Sequence, residues 1–245
     1  MLLKKALTIM FFTLLCMNTI KPTGALAMQS NSKTPESVII FWTDEARLKA
    51  VNLTFSPNRD GPIGIISVPV YTWLADGQQA TTVGEYYLKH GPVKLTQQME
   101  TLFENSISAY IIIDQKALVN VSKVIGPINM ADQHITLMDV FEGKYVDGPV
   151  NMQVEIRQLA DAMLTPAVLI KVPEIIWVFS REVDSNISPR HLASFYRVIR
   201  YRGSDVLQKK DVPGQDYVIN NRKYRRVAPD TWQQTLREVT SSTEQ

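Results

Sequence analysis

The side chains able to do chemistry are few and widely spread. His90, His134 and His191 lie 44 and 57 residues apart, and no ligand spacing joins them into a metal centre. The single cysteine, Cys16, excludes an internal disulfide framework and a cysteine-rich zinc site. No G-x-S-x-G, Walker A, H-E-x-x-H or C-x-x-C pattern occurs. Two acids, Asp44 and Asp114, each close an apolar run. Ligands of α/β sheets gather at strand ends, although an acid there also serves as a turn or cap residue. One charge cluster stands out. Between Arg197 and Arg226 nine basic residues (Arg197, Arg200, Arg202, Lys209, Lys210, Arg222, Lys223, Arg225, Arg226) face three acids, with Tyr196, Tyr201, Tyr217 and Tyr224 interleaved. Its last part, Arg222, Lys223, Arg225 and Arg226, is a candidate face for an anionic polymer or lipid phosphates, or a solvated basic surface.

Periodicity sketches the elements that must position these groups. Ser37–Trp42 is a short apolar run read as a buried strand, Ala50–Phe55 a second strand, and Ile63–Val70 a third after the dense turn signal at 57–62. Residues 76–84 have no strong period. Pro92 stands at a first helical position, with Leu95, Met99, Leu102 and Phe103 at helical spacing, so a helix is predicted over 92–104. Ala109–Asp114 reads as a strand, and Leu118, Val121, Val124 and Ile125 as the next helical stripe, closed by Gly126-Pro127. Beyond an ambiguous stretch at 131–152 come a helix over Val154–Leu164 and short segments bracketed by Pro166 and Pro173. A helix capped by Ser188-Pro189 follows, then a hairpin around Asn220-Asn221 and a terminal helix over Asp230–Val239. Strands first, then strands alternating with helices, predict an α/β fold with a central mixed sheet.

The chain has 245 residues, 45% hydrophobic and 20% charged, which points to one domain and excludes a disordered or low-complexity chain. A net charge of +2 carries no argument for nucleic acid, and none is expected as a partner. Residues 1–27 follow the plan of a secretory signal peptide: Lys4-Lys5, an apolar run, the breakers Pro22 and Gly24, and Ala25-Leu26-Ala27. The run Ala6–Ile20 is 15 residues, short of the ~20 of a spanning helix. Cleavage is therefore expected after Ala27, against the alternative of a retained anchor. Residues 28–36 are a polar lead-in, and 37–240 the folded domain. An extracytoplasmic, secreted or envelope-associated protein is the expectation.

Taken in order, these segments resemble the LytR-CpsA-Psr family, also called the cell envelope-related transcriptional attenuator domain. Ile65–Leu74 (IISVPVYTWL) is similar to the family's "ISIPRDTYV" strand and turn, and Tyr87–Phe103 to its "YAYGGPELLIKTVENLL" helix start. Ile107–Ile128 resembles its "IDYYVVVDFDGFVKLVDALGGV" strand and helix, and Arg157-Gln158 with Leu164-Thr165-Pro166 through Pro173-Glu174 its "RQQ … LLSP … KLPEL" stretch. The resemblance implies a three-layer α/β/α fold. It also implies a role near glycopolymer transfer from a polyprenyl-pyrophosphate carrier, where arginines clamp the pyrophosphate and acids hold Mg²⁺. It carries Arg47, Tyr87, Arg157 and Gln158 over as pyrophosphate-binding candidates and Asp44 as a metal candidate. This chain departs at decisive positions: Val70-Tyr71 stands where the family has Arg-Asp, Leu48 where it places an Asp, and Thr82-Val83-Gly84 at its Lys-Ile-Asn step. Losing one charge-stabilising contact costs ~10²–10³ in rate. The expectation is thus an inactive or weak relative, a pseudoenzyme, binding a polyprenyl-linked lipid, an anionic envelope polymer or a partner, with a membrane surface in reach. The alternative is a working phosphotransferase with rearranged ligands, and only then a need for Mg²⁺.

Overall fold

The computed structural model describes residues 37–56, 61–76, 79–130, 133–142, 151–187, 195, 198–199 and 201–241. The leader and lead-in over 1–36, the turn centred on 57–60, Gly148, the Ser188-Pro189 cap and residues Tyr196, Arg197 and Arg200 of the basic cluster lie outside them.

The first strand explains the layering. All seven residues from Ser37 to Thr43 in β1 (Ser37–Asp44) are buried, which an alternating half-exposed strand cannot be. Both faces of the sheet must therefore be covered. Val38, Ile40 and Trp42 join one apolar cluster and Ile39 and Phe41 the other, as the two-residue period of a strand demands. β2 (Arg47–Phe55) and β3 (Ile63–Val68) continue as an antiparallel meander. β6 (Ala109–Asp114) lies parallel beside β1, with Val38 level with Ala109. Adding β9 (Val183–Ser185) and β10 (Leu207–Asp211) gives one mixed sheet of six strands in the order β10-β3-β2-β1-β6-β9. Two-stranded ribbons complete the β structure: β4 (Trp73–Asp76) with β5 (Gln79–Thr82), β7 (Ile128–Met130) with β8 (Gln133–Ile135), and β11 (Gln215–Ile219) with β12 (Arg222–Arg226).

Helices cover both faces. On the Ile39 side lie α1 (Val83–Phe103) and α7 (Pro229–Thr240), packing Leu95, Met99, Phe103, Trp232 and Val239 on the strands. On the Val38 side lie α2 (Gln115–Ile125), α3 (Leu137–Glu142), α4 (Met152–Met163), α5 (Pro166–Leu169) and α6 (Val172–Glu182), with Phe195 and Ile199. The expected three-layer α/β/α arrangement with a central mixed sheet is what the chain adopts.

α1 differs from its sequence reading in a way that matters for the site. Helix begins at Val83, not at 92, because Thr82 caps it: Thr82 Oγ1 accepts from Glu85 N at 3.2 Å, and Glu85 Oε2 accepts from Thr82 N at 3.0 Å. The pattern was broken by Gly91, which sits at φ 77, ψ 179 and kinks the helix. Pro92 then restarts it, where the missing N–H costs nothing. Residues 76–84, read as aperiodic, hold the short β4–β5 ribbon and this cap.

Candidate functional site

The β1–β2 turn places Asp44 and Arg47 opposite each other in register. It lies at the C-terminal end of the parallel β1–β6 pair, where α/β sheets open crevices. Next to it, the chain leaving β3 passes through Val70 and Tyr71. The β11–β12 hairpin is fastened over that segment: Arg225 N donates to Tyr71 O at 3.0 Å, and Trp73 stacks obliquely on Tyr224 with centroids 5.3 Å apart. The result is a cleft of about 450 Å³ lined by Arg47, Leu48, Val70, Tyr71, Thr82, Gly84, Glu85, Leu88, Arg222, Lys223 and Tyr224.

The cleft is lined by both cationic and apolar side chains. Lys223 Nζ lies 4.7 Å and Arg225 Cζ 5.5 Å from the centre of the Tyr71 ring, within cation–π range. Asp216 holds both cations, with Lys223 Nζ at 2.7 Å and Arg225 Nε at 2.6 Å. The hydrogen bonds from Arg225, then those from Lys223, keep its carboxyl far below the usual carboxylate range. Lys223 is in turn held above the ordinary lysine range, foremost by Asp216 and next by the Tyr71 hydroxyl. Glu85 is pushed below its usual value by the capping hydrogen bonds from Thr82; its Oε1 lies 3.8 Å from Arg222 Nη1. Counting Asp216, the partner of Lys223, with the lining residues, Arg47, Arg222 and Lys223 stand against Glu85 and Asp216. The surplus is positive, and Leu48, Val70 and Leu88 supply apolar surface beside it.

The candidates inferred from sequence separate into two groups. Arg47 meets Arg222 and Lys223 in this cleft, joining the phosphate candidate to the face assigned to an anionic polymer. Arg225 is anchored to Asp216, and the exposed Arg226 lies at the open end of the hairpin, level with Gln215. Tyr87 is in the core at 9% exposure, its ring 5.3 Å from Phe41. Burial, then the Asp184 carboxylate, raise its phenol above the usual range. Arg157 and Gln158 lie on α4, in the opposite layer. Arg157 is clamped to Asp205, by Nη1 to the carboxylate and Nη2 to the carbonyl, each at 3.0 Å. Gln158 lines a second cleft of about 590 Å³ with Asn129, Gln133, His134, Asp161 and Thr165. Tyr71 and Leu88 were not among the sequence candidates. Tyr71 was legible only as a departure from Arg-Asp, and its role depends on a hairpin some 150 residues later in the chain.

The two strand-end acids are engaged within the protein. Asp44 forms an ion pair with Lys49 at 2.8 Å. Asp114 caps α2, accepting from Lys116 N at 2.9 Å and from Glu45 N at 3.1 Å. Among the described residues no group of three or more His, Cys, Asp or Glu side chains is placed to hold a metal ion. No helix among them is long and apolar enough to cross a membrane.

Most of the chain superposes on solved structures. Bacillus subtilis TagV matches at a TM-score of 0.64 and 17% identity, covering 86% of this chain and 99% of that one. The fold is the LytR-CpsA-Psr fold. Bacillus subtilis TagU shares the LytR-CpsA-Psr fold at a TM-score of 0.58 and 13% identity, over 86% of this chain and 99% of TagU. The transcriptional regulator yvhJ from Bacillus subtilis does so at 0.63 and 16%, over 86% and 100%. No protein-family model matches the sequence, and no curated protein does.

Proposed function

We propose that this chain is an extracytoplasmic envelope protein that uses the LytR-CpsA-Psr fold to bind a polyprenyl phosphate or pyrophosphate lipid in the Tyr71 cleft, without the charge set for efficient glycopolymer transfer. The observation that carries the reading is the lining of that cleft. Arg47, Arg222 and Lys223 offer charge-assisted donors to phosphate oxygens, while Leu48, Val70 and Leu88 offer apolar surface to the first isoprene units. An amphiphilic anion needs both at once; a simple phosphate needs only the first.

The eroded chemistry supports binding over transfer. Transfer of a phosphoryl-linked glycan rests on positioning and on neutralising the charge of the leaving pyrophosphate. Here Tyr71 replaces an acid, Val70 an arginine, and Arg157 is turned to Asp205. The residues that remain can hold and orient the lipid headgroup.

The test is thermal melting of the full chain in detergent with undecaprenyl phosphate as the probe. The midpoint rises with lipid concentration, as for any ligand selective for the native state. The rise falls by more than half in Arg47→Ala with Lys223→Ala. No rise at saturating lipid, or an equal rise in the double variant, would overturn the reading.

A further inference from the structure

The far end of the β11–β12 hairpin carries apolar side chains that the cleft does not use. Val218 is 72% exposed and Ile219 43%, and Leu88 on α1 is 67% exposed. They belong to one neighbourhood. Val218 is level with Lys223 and Ile219 with Arg222 in the hairpin ladder. Both cations share their cleft with Leu88, and Arg222 reaches Glu85 on the same helix. The tip is the two-residue turn Asn220-Asn221, both at positive φ, 50° and 58°. Such a turn closes a hairpin tightly and presents its flanking side chains in fixed positions.

We propose that this tip, with the Leu88 turn of α1, docks the protein peripherally on a bilayer that carries anionic phospholipid. Each face of the ribbon tip carries an apolar side chain beside a cation, Val218 with Lys223 on one and Ile219 with Arg222 on the other, so a tip that enters the interface edge-on lets the cations meet lipid phosphates while the apolar groups enter the headgroup–acyl boundary. Charge complementarity selects an anionic surface. A soluble polyanion would engage Arg222 and Lys223 and leave Val218, Ile219 and Leu88 in water. The docking does not depend on a prenyl lipid in the cleft, so vesicles free of prenyl lipid examine it alone.

Because Cys16 is the single cysteine, a Cys16→Ser background of the full chain accepts one labelled position. An environment-sensitive fluorophore at Ile219→Cys reports the tip, and one at Glu174→Cys, an exposed position on α6, serves as the reference, so the N-terminal segment does not enter the comparison. On phosphatidylglycerol vesicles the 219 label shifts to the blue with several-fold higher emission, and the 174 label stays water-like. Phosphatidylcholine vesicles leave both unchanged. Arg222→Ala with Lys223→Ala weakens the 219 response roughly 25-fold in lipid concentration, about fivefold per cation. A 219 label that stays water-like on phosphatidylglycerol, responds equally to phosphatidylcholine, or responds as strongly to heparin in solution would overturn the proposal.

Discussion

At the scale of single residues, one buried acid lies away from the cleft. Glu155 on α4 is 2% exposed, and neither carboxylate oxygen has a hydrogen-bond partner among the described residues. Burial raises its pKa from 4.5 to about 7, opposed in part by the nearby Lys209 ammonium on β10. The folded state therefore holds this proton more tightly than the unfolded chain. Stability is greatest below about pH 4.5 as far as this group is concerned, and it declines as pH rises toward about 7. The full difference is roughly 3 kcal/mol. Urea unfolding of Glu155→Gln at pH 5 and pH 8 should show a flatter dependence than the parent; an unchanged slope would show that burial does not govern this acid. Asp216 has the opposite sign. Its depressed pKa favours folding above its ordinary value of 3.8, and that contribution is lost as acid protonates it, freeing Lys223 and Arg225 over Tyr71.

Elements were easier to read than the contacts between them. β1, β2, β3, β6, the hairpin and α7 follow from short apolar runs, an Asn-Asn turn and a helical stripe. β9 and β10 did not, for physical reasons. Val183–Ser185 is three residues of edge strand. Leu207–Asp211 reads LQKKD, with a lysine, Lys209, carried into the interior at 8% exposure. A charged strand held by long-range partners leaves little local trace: Gln153 Oε1 on α4 accepts from Lys209 N at 2.8 Å, and Gln153 also donates to Leu207 O. The cleft was half legible. Arg47 and the hairpin cations were chosen separately, and only the fold joins them; Arg157 and Gln158 carried motif similarity into a different layer. One close contact shows how tightly the layers meet. A Cβ at Gly64 of β3 would lie 2.8 Å from both Val239 Cγ2 and Val239 O of α7. Gly64→Ala should destabilise by about 1–3 kcal/mol, the usual cost of overpacking, with a matching drop in the urea midpoint. A neutral result would mean that α7 shifts freely on the sheet.

For the whole molecule, the sheet underlies the cleft, α1 and the post-β3 segment supply apolar surface, and a late hairpin brings cations beside the segment leaving β3, where the sequence resemblance leads one to expect Arg-Asp and this chain has Val70-Tyr71. Binding can survive such a relocation, because electrostatic attraction to a phosphate tolerates many arrangements. Efficient transfer does not, because it requires donors aimed at the developing charge. An assay of a pyrophosphate-linked glycan with Mg²⁺ should therefore release no polyprenyl phosphate above background, and clear release would restore the transferase reading. The most direct measurement of the central claim is mass spectrometry of lipids extracted from the full chain purified from a bacterial host. A polyprenyl phosphate or pyrophosphate should co-purify with the parent and be depleted in Arg47→Ala with Lys223→Ala; an extract free of prenyl lipid, or one equally rich in it from the variant, would contradict the account.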